Sequence, residues 1–464
     1  MMKPLKSRTS DVTPVFVSEL IETLTRRGLA LFGRRDARGE VAQARDLAAL
    51  GELLLSRRGE ASGVTLAETL LAAFAAASAA ERLTFLLALA DRFGPDPAAV
   101  QRAIAAVLDI SETGALEKLH AASEPRRQAL FRRLNLAPGG TTALLRMRED
   151  LLGHLSDHPR LKLVDDDFVH LFSSWFNRGF LALRRIDWTT SPNILERIIR
   201  YEAVHAIRDW DDLRNRLAPE DRRCYGFFHP QLVDEPLIFV EVALTRDIPP
   251  AVGPLLDLAR TPIAAAEATT AVFYSISNTQ RGLGSVSFGN FLIKQVVEDL
   301  KRELPNVKTS VTLSPVPGFA SWLAGQRKAE VAWLDAATQA ELGLVDEHGW
   351  HADAGKAERV RAVLLPIAVR YLLAAKTAGG RPVDPVARFH LGNGARLERL
   401  NFLGDVSAKG LKQSHGLMVN YLYALDEIEV NHEAFAEKGV IAAAPAVRQL
   451  APADKSSRST VPAP

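Results

Sequence analysis

Residues 273–322 read FYSISNTQRGLGSVSFGNFLIKQVVEDLKRELPNVKTSVTLSPVPGFASW, and this stretch decides how the second half of the chain folds. Val272, Phe273 and Tyr274 predict a strand. Leu292, Val296, Val297, Leu300 and Leu304 share one stripe of a helix beginning near Asn290, so that face packs on a sheet. TSVTL at 309–313 predicts a second strand. Between the first strand and the helix lies NTQRGLGSVSFG, where Gly282 and Gly284 can take positive φ and bring backbone close to a ligand. Amides at 284–290, with the positive helix end behind them, would suit a pyrophosphate. A plain strand-to-helix turn explains the glycines equally well. No Gly-Lys-Ser/Thr follows, and Gly289 comes too late for a dinucleotide fingerprint.

Ser314 follows the second strand and precedes Pro315. It reads either as the N-cap of a helix through FASWLAG, with proline at the first position, or as a hydroxyl at a strand's C-terminal end, where open sheets bind ligands. A second polar concentration lies at 387–423, ARFHLGNGARLERLNFLGDVSAKGLKQSHGLMVNYLY. His390 precedes the turn Gly392-Asn393-Gly394, and a strand follows at Arg399–Asn401. A lone histidine is more often a hydrogen-bonded core residue than a reactive one. Here Asn393, Asn401, Ser407, Tyr421 and Tyr423 accompany it, which suggests a lined pocket, with Asp405 as a candidate orienting acid. No paired His/Asp/Glu spacing points to a metal.

Residues from about 12 to 175 carry helical spacing, as in Val17, Leu20, Ile21, Leu24 and in Leu151, Leu152, Leu155. Asp96-Pro97 and Ser111-Glu112 are helix starts, while GPDP at 94–97 and APGG at 137–140 mark turns. The spacing predicts a bundle of about seven or eight helices. After Trp175 β-rich runs alternate with helices: LVDEPLIFVEVAL at 232–244 reads as a buried central strand, and 191–206 and 358–373 read as helices. The expected architecture is therefore an all-α N-terminal bundle over 1–175 and an α/β or α+β domain with a mixed sheet over 176–443, followed by a disordered tail over 444–464.

Bulk properties narrow the function classes. The 57 basic and 55 acidic residues give a net charge of +2, without the basic excess of a nucleic-acid binder. Cys224 is the single cysteine, so no intramolecular disulfide can form, and a buried, inert thiol is the expected reading. No stretch approaches the roughly 20 apolar residues of a membrane span. The start MMKPLKSRTSDV lacks the apolar core of a secretory signal.

Taken in order, FYSISxTQ, FLIKxVVxxL, LSPxPGF, FHLxNGA and GLMxNYxY resemble the malonyl-CoA decarboxylase family. The match runs from about Trp175 to Lys438. The resemblance implies a helical N-terminal domain used for oligomerisation, as a dimer or tetramer, and a GNAT-like acetyltransferase-type catalytic domain. It implies malonyl-CoA as substrate and acetyl-CoA as product, with no further cofactor and no metal. By motif it places the catalytic serine at Ser314 and the catalytic histidine at His390. It places CoA contacts at Gly284, Ser285, Val286, Ser287, Phe288, Gly289 and Asn290, with Asn393 expected at the thioester oxygen. The family's active-site tyrosine falls at Tyr423 or Tyr421. Animal members carry a glutamate where this chain has Ser287, end in a peroxisomal address unlike VPAP, and hold extra cysteines. These differences favour a bacterial, cytoplasmic protein. Two other readings stay open: a GNAT-type acyltransferase, and a non-catalytic CoA-sensing adaptor.

Overall fold

Local signals place the helices of the first half. Ser78 accepts from the Glu81 amide while the Glu81 carboxylate accepts from the Ser78 amide at 2.8 Å, a reciprocal cap that starts the helix Ala79–Asp91. Asp96 accepts from the Ala98 amide at 3.0 Å, ahead of Pro97–Leu108. Gly139, at φ +71°, turns the chain into Gly140–Leu152. The computed structural model describes residues 46–56, 59–108, 114–232, 234–284, 286 and 292–451. The expected helix around Val17–Leu24 and the cap at Ser111-Glu112 lie outside the described residues.

Two compact units divide the chain. In the first, eight α-helices are described: α1 Leu47–Ser56, α2 Glu60–Ala76, α3 Ala79–Asp91, α4 Pro97–Leu108, α5 Ala115–Ser123, α6 Arg126–Asn135, α7 Gly140–Leu152 and α8 Lys162–Trp175. Their core includes Phe131 stacked on Phe168 at 4.1 Å and a buried ion pair of Arg127 with Asp167. The bundle therefore stands as expected, with a different boundary. The first unit extends to Leu181 and also takes His229–Glu235 and Gln280–Ser287.

The second unit is built on a mixed sheet of β1 Ala182–Ile186, β2 Arg222–Phe228, β3 Pro236–Thr245, β4 Thr270–Asn278, β5 Thr309–Thr312, β6 Ser314–Pro315, β7 Arg396–Asn401 and β8 Met418–Leu422. Strands β1 to β4 pair antiparallel in sequence order. β4 and β5 pair in parallel through the crossover helix α11, Leu292–Glu303, whose buried side is Leu292, Ile293, Val296, Val297 and Leu300. β8 then pairs antiparallel with β5, β6 and β7. On one side of β2 and β3, Cys224, Phe228 and Phe239 pack with Ile194, Leu195 and Ile198 of α9, Pro192–Tyr201, and with Leu213 and Leu217 of α10, Trp210–Leu217. Burial raises the Cys224 thiol pKa, in keeping with an inert side chain.

Strand β3 is less apolar in effect than its sequence suggests. Glu241 is fully buried and pairs with Arg216 at 3.0 Å, and burial pushes its pKa up to about 8. Nearby on β4, Ser275 and Ser277 donate to Glu202 at 2.7 and 3.1 Å.

Three expectations change. Ser314 does not cap a helix: it pairs with Val419 in β6, and the following helix, α12, spans Phe319–Lys328 behind Gly318. Gly282 does not open backbone to a ligand. A Cβ there would overlap the Leu145 carbonyl, and Gly282 exchanges hydrogen bonds with Glu149 and Arg148. The tail is ordered at its start, since Pro445–Gln449 forms a helix with Val447 buried; residues 452–464 lie outside the described set.

Gly318 sits where the Ser314 segment meets α14, Ala354–Leu373: a Cβ there would lie 2.6 Å from the Tyr371 hydroxyl. Gly318→Ala should therefore lower stability by about 1–3 kcal/mol. Adding Tyr371→Phe should recover part of that loss in urea unfolding; a neutral G318A would contradict the packing described.

Candidate active site

The parallel ladder of β4 and β5 ends at one place. Phe273 pairs with Thr312, and the Leu313 amide donates to the Phe273 carbonyl at 3.0 Å. One residue later the chain leaves β4 and pairs with β8 through Ser314↔Val419. β4 continues to Asn278 on β3 alone among the described strands. Tyr274, the bulged residue between the Glu241↔Ser275 and Val242↔Phe273 pairs, marks the same level on β4. The two strands part here, and Ser314 is the first residue beyond the fork.

His390 reaches Ser314 from a short helix, α15 Pro385–Gly392. Asp384 caps it, accepting from the Ala387 amide at 2.8 Å and from the Tyr371 hydroxyl at 3.2 Å. Pro385 at the first position and Gly394 at φ +80° beyond the end bound the helix. Gly394 must lack a side chain, because a Cβ would overlap the Ile428 carbonyl. The helix is thus held at both ends, which fixes the imidazole. Burial raises the Asp384 carboxyl pKa.

His390 Nε2 lies 3.1 Å from Ser314 Oγ, and His390 Nδ1 lies 2.9 Å from the Tyr423 hydroxyl. Tyr421 stacks on the imidazole, with ring centroids 4.7 Å apart. Ser314 Oγ also lies 2.8 Å from Thr312 Oγ1. All five side chains are buried, His390 at 3% exposure. No carboxylate among the described residues is bonded to the imidazole, and burial drives its pKa down to about 3. It is a neutral ring held between two hydroxyls, able to accept at one nitrogen and donate at the other.

The structure brings together Ser314, His390, Tyr423 and Tyr421 and adds Thr312, which sequence reading passed over as one residue of a strand. Its signal was faint: a hydroxyl two positions from Ser314, hence on the same side of an extended chain. Asp405 is not an orienting acid for His390; it accepts from the Ser407 amide at 2.9 Å, and Tyr423 holds the position instead. Asn401 does not line an open pocket. It donates to Asn420 at 2.8 Å, and Asn420 donates to the Thr312 carbonyl at 2.7 Å, bracing the fork. Ser407 caps the helix Ala408–Ser414. Asn393 ends α15, its side-chain Nδ2 donating to the Phe389 carbonyl at 2.7 Å.

The glycine turn differs from expectation where it is described. The Gly284 amide donates to Arg281 and the Val286 amide to Leu283, each at 3.0 Å, so neither points outward for a phosphate. Ser285, Ser287, Phe288, Gly289 and Asn290 lie outside the described residues.

A buried neutral histidine has a clear stability signature. The folded pKa of about 3 lies below the ordinary 6.5, so the unfolded chain takes up the proton first. The contribution is complete above about pH 6.5 and is lost as pH falls towards about 3. His205, held near 4 by burial, adds to the same slope. In His390→Gln, the loss of unfolding free energy between about pH 6 and 4.5 should be shallower by the linkage of one proton, about 1.4 kcal/mol per pH unit at most. Equal slopes in urea titrations would contradict a neutral buried His390.

The family model described as Malonyl-CoA decarboxylase C-terminal domain matches residues 179–461, and the N-terminal domain of the same family matches 93–176. The mitochondrial malonyl-CoA decarboxylase of Anser anser anser is 36% identical over 387 residues, covering 76% of each chain. The solved malonyl-CoA decarboxylase of Rhodopseudomonas palustris is 65% identical with a TM-score of 0.85, over 87% of this chain and 98% of that one. That of Agrobacterium vitis is 58% identical with a TM-score of 0.83, over 87% and 99%.

Proposed function

The chain belongs to the malonyl-CoA decarboxylase family, and from that premise we propose that Ser314 and His390 form the centre at which malonyl-CoA loses CO2. The enzyme is a carboxy-lyase. The observation that carries the site assignment is the buried 3.1 Å contact of Ser314 with a neutral His390 at the fork of β4 and β5.

The chemistry asks little of the protein beyond position and polarity. When the bond to the carboxylate breaks, its electron pair moves into the thioester carbonyl, giving an enolate that must be stabilised and then protonated. The thioester is its own electron sink, so the mechanism invokes no metal or organic cofactor. Hydroxyls held in a water-poor site stabilise developing negative charge more strongly than they would in water. Tyr423 and Ser314 are the hydroxyls available at the imidazole. Burial also disfavours the malonyl carboxylate relative to neutral CO2, which helps the bond break. The Ser314–His390 pair supplies the proton to carbon.

Beyond Phe273, where its pairing with β5 ends, β4 offers backbone groups to an extended acyl-pantetheine arm. The CoA phosphates remain assigned by resemblance to 284–290, where the amides of Gly284 and Val286 are engaged within their own turn. Asn393 remains a candidate for the thioester oxygen. Self-association through the helical unit and a cytoplasmic setting belong to the same proposal; Ile104, Leu108 and Leu116 leave apolar surface exposed on α4 and α5.

Ser314→Ala and His390→Asn, each checked for a wild-type melting profile, should lower kcat for CO2 release from malonyl-CoA by roughly 10²–10⁴ fold. Near-wild-type turnover in either folded variant would overturn its assignment.

A further inference from the structure

Beyond Phe273, β4 keeps its ladder to β3 while that to β5 has ended. A second hold on this stretch comes from one carboxylate. Glu202 follows α9, its amide donating to the Ile198 carbonyl at 3.0 Å. One of its carboxylate oxygens accepts from the Val204 and His205 amides and from Ser275 Oγ, each at 2.8 Å. The other lies 2.7 Å from Ser275 Oγ and accepts from Ser277 Oγ at 3.1 Å. Ser277 Oγ in turn accepts from the Ala203 amide at 3.2 Å. Glu202, Ser275 and Ser277 are all buried. A carboxylate taken out of water is costly unless donors meet it, and here two of those donors are strand side chains. Ser275 and Ser277 stand two apart, so their hydroxyls leave the same face of β4 and a single carboxylate spans both. The loop that carries Glu202 is itself fixed, because Lys409 Nζ donates to the Ala203 and Val204 carbonyls at 2.6 and 2.9 Å.

We propose that Glu202 is a positioning residue for substrate binding: through Ser275 and Ser277 it holds β4 beyond the fork in the extended form that the acyl-pantetheine arm of a CoA thioester pairs with. The inference rests on the reading of that arm, and of the Ser314–His390 site, given above. A backbone already extended before the ligand arrives has little freedom left to lose on binding. Released from Glu202, the same stretch has to be ordered by the ligand, and that weakens the complex. The loss falls on the arm, which lies along β4, and not on the CoA phosphates, which are assigned to 284–290. Ser314 and His390 stand on β6 and α15, so the chemical step is spared.

The test compares the full-length wild type with Glu202→Gln and Ser277→Ala. Calorimetry uses two probes: acetyl-CoA, and adenosine 3′,5′-bisphosphate, which is the nucleotide end of CoA without the arm. Glutamine keeps an oxygen for the loop amides but sets an NH2 group where the serine hydroxyls now donate. In folded E202Q, Kd for acetyl-CoA and KM for malonyl-CoA should rise roughly tenfold, while kcat and Kd for the bisphosphate stay within about threefold of wild type. S277A removes one of the two strand donors and should raise Kd for acetyl-CoA about threefold, which decides the matter if E202Q does not fold. Unchanged acetyl-CoA affinity in either folded variant overturns the proposal. So does an equal loss of affinity for the bisphosphate, or a fall in kcat with KM unmoved, which is what a merely structural role would give. Calorimetry needs no turnover, so the two readings fail separately. A wild type that binds acetyl-CoA yet releases no CO2 from malonyl-CoA sinks the site assignment, whereas unmoved affinities in the variants sink only the role of Glu202.

Discussion

One constraint organises the catalytic unit: the parallel pairing of β4 with β5 stops after Leu313 donates to Phe273. Had the ladder continued, Ser314 would sit within a regular parallel pair and its backbone would be used against β4. Instead the chain crosses to β8, and the bulge at Tyr274 bends β4 at the same level. The fork is braced from behind by Asn420 on the Thr312 carbonyl and by Asn401 on Asn420. Such buried polar bonds are costly to leave half made, so they specify one arrangement rather than merely adding stability.

The same burial that makes the fork rigid sets its electrostatics. Among the described residues His390 has no carboxylate bonded to it to hold a positive charge, and burial removes the water that would do so. The ring is therefore a neutral relay between Ser314 and Tyr423, unlike the imidazole of a hydrolase, which an acid stabilises as it becomes charged. That contrast fits the reaction. A hydrolase needs a base to make a nucleophile, whereas decarboxylation needs a place where a carboxylate is less comfortable than CO2 and an enolate finds a hydroxyl.

Much of this was legible in the sequence. The helical half, the stripe on α11 and the three main strands follow from periodicity, because each element buries one face. The family motifs placed Ser314 and His390, and the structure brings them together. What failed to show was long-range pairing. Ser314 before a proline has the local pattern of a helix cap, and only its partner 105 positions away, Val419, turns it into a strand residue. Glu241 lay unnoticed in an apolar run because its partner Arg216 is on a separate helix. Gly282 looked like ligand-approach glycine, yet the close approach is to the backbone of α7. Asp405 was a sensible acid by spacing, but Tyr423 occupies the place. Thr312 could not be singled out, since a hydroxyl within a strand does not announce the distant Tyr421 amide that it accepts from.

In the proposed function, this buried hydroxyl–imidazole site breaks a carbon–carbon bond and protonates the resulting enolate without any acceptor molecule. Incubating the purified protein with malonyl-CoA in deuterium oxide, and weighing the CoA product by mass spectrometry, tests it most directly. CO2 release is expected, with acetyl-CoA carrying at least one deuterium on its methyl group. Intact malonyl-CoA, or an acyl group consumed only when an amine acceptor is added, would contradict it.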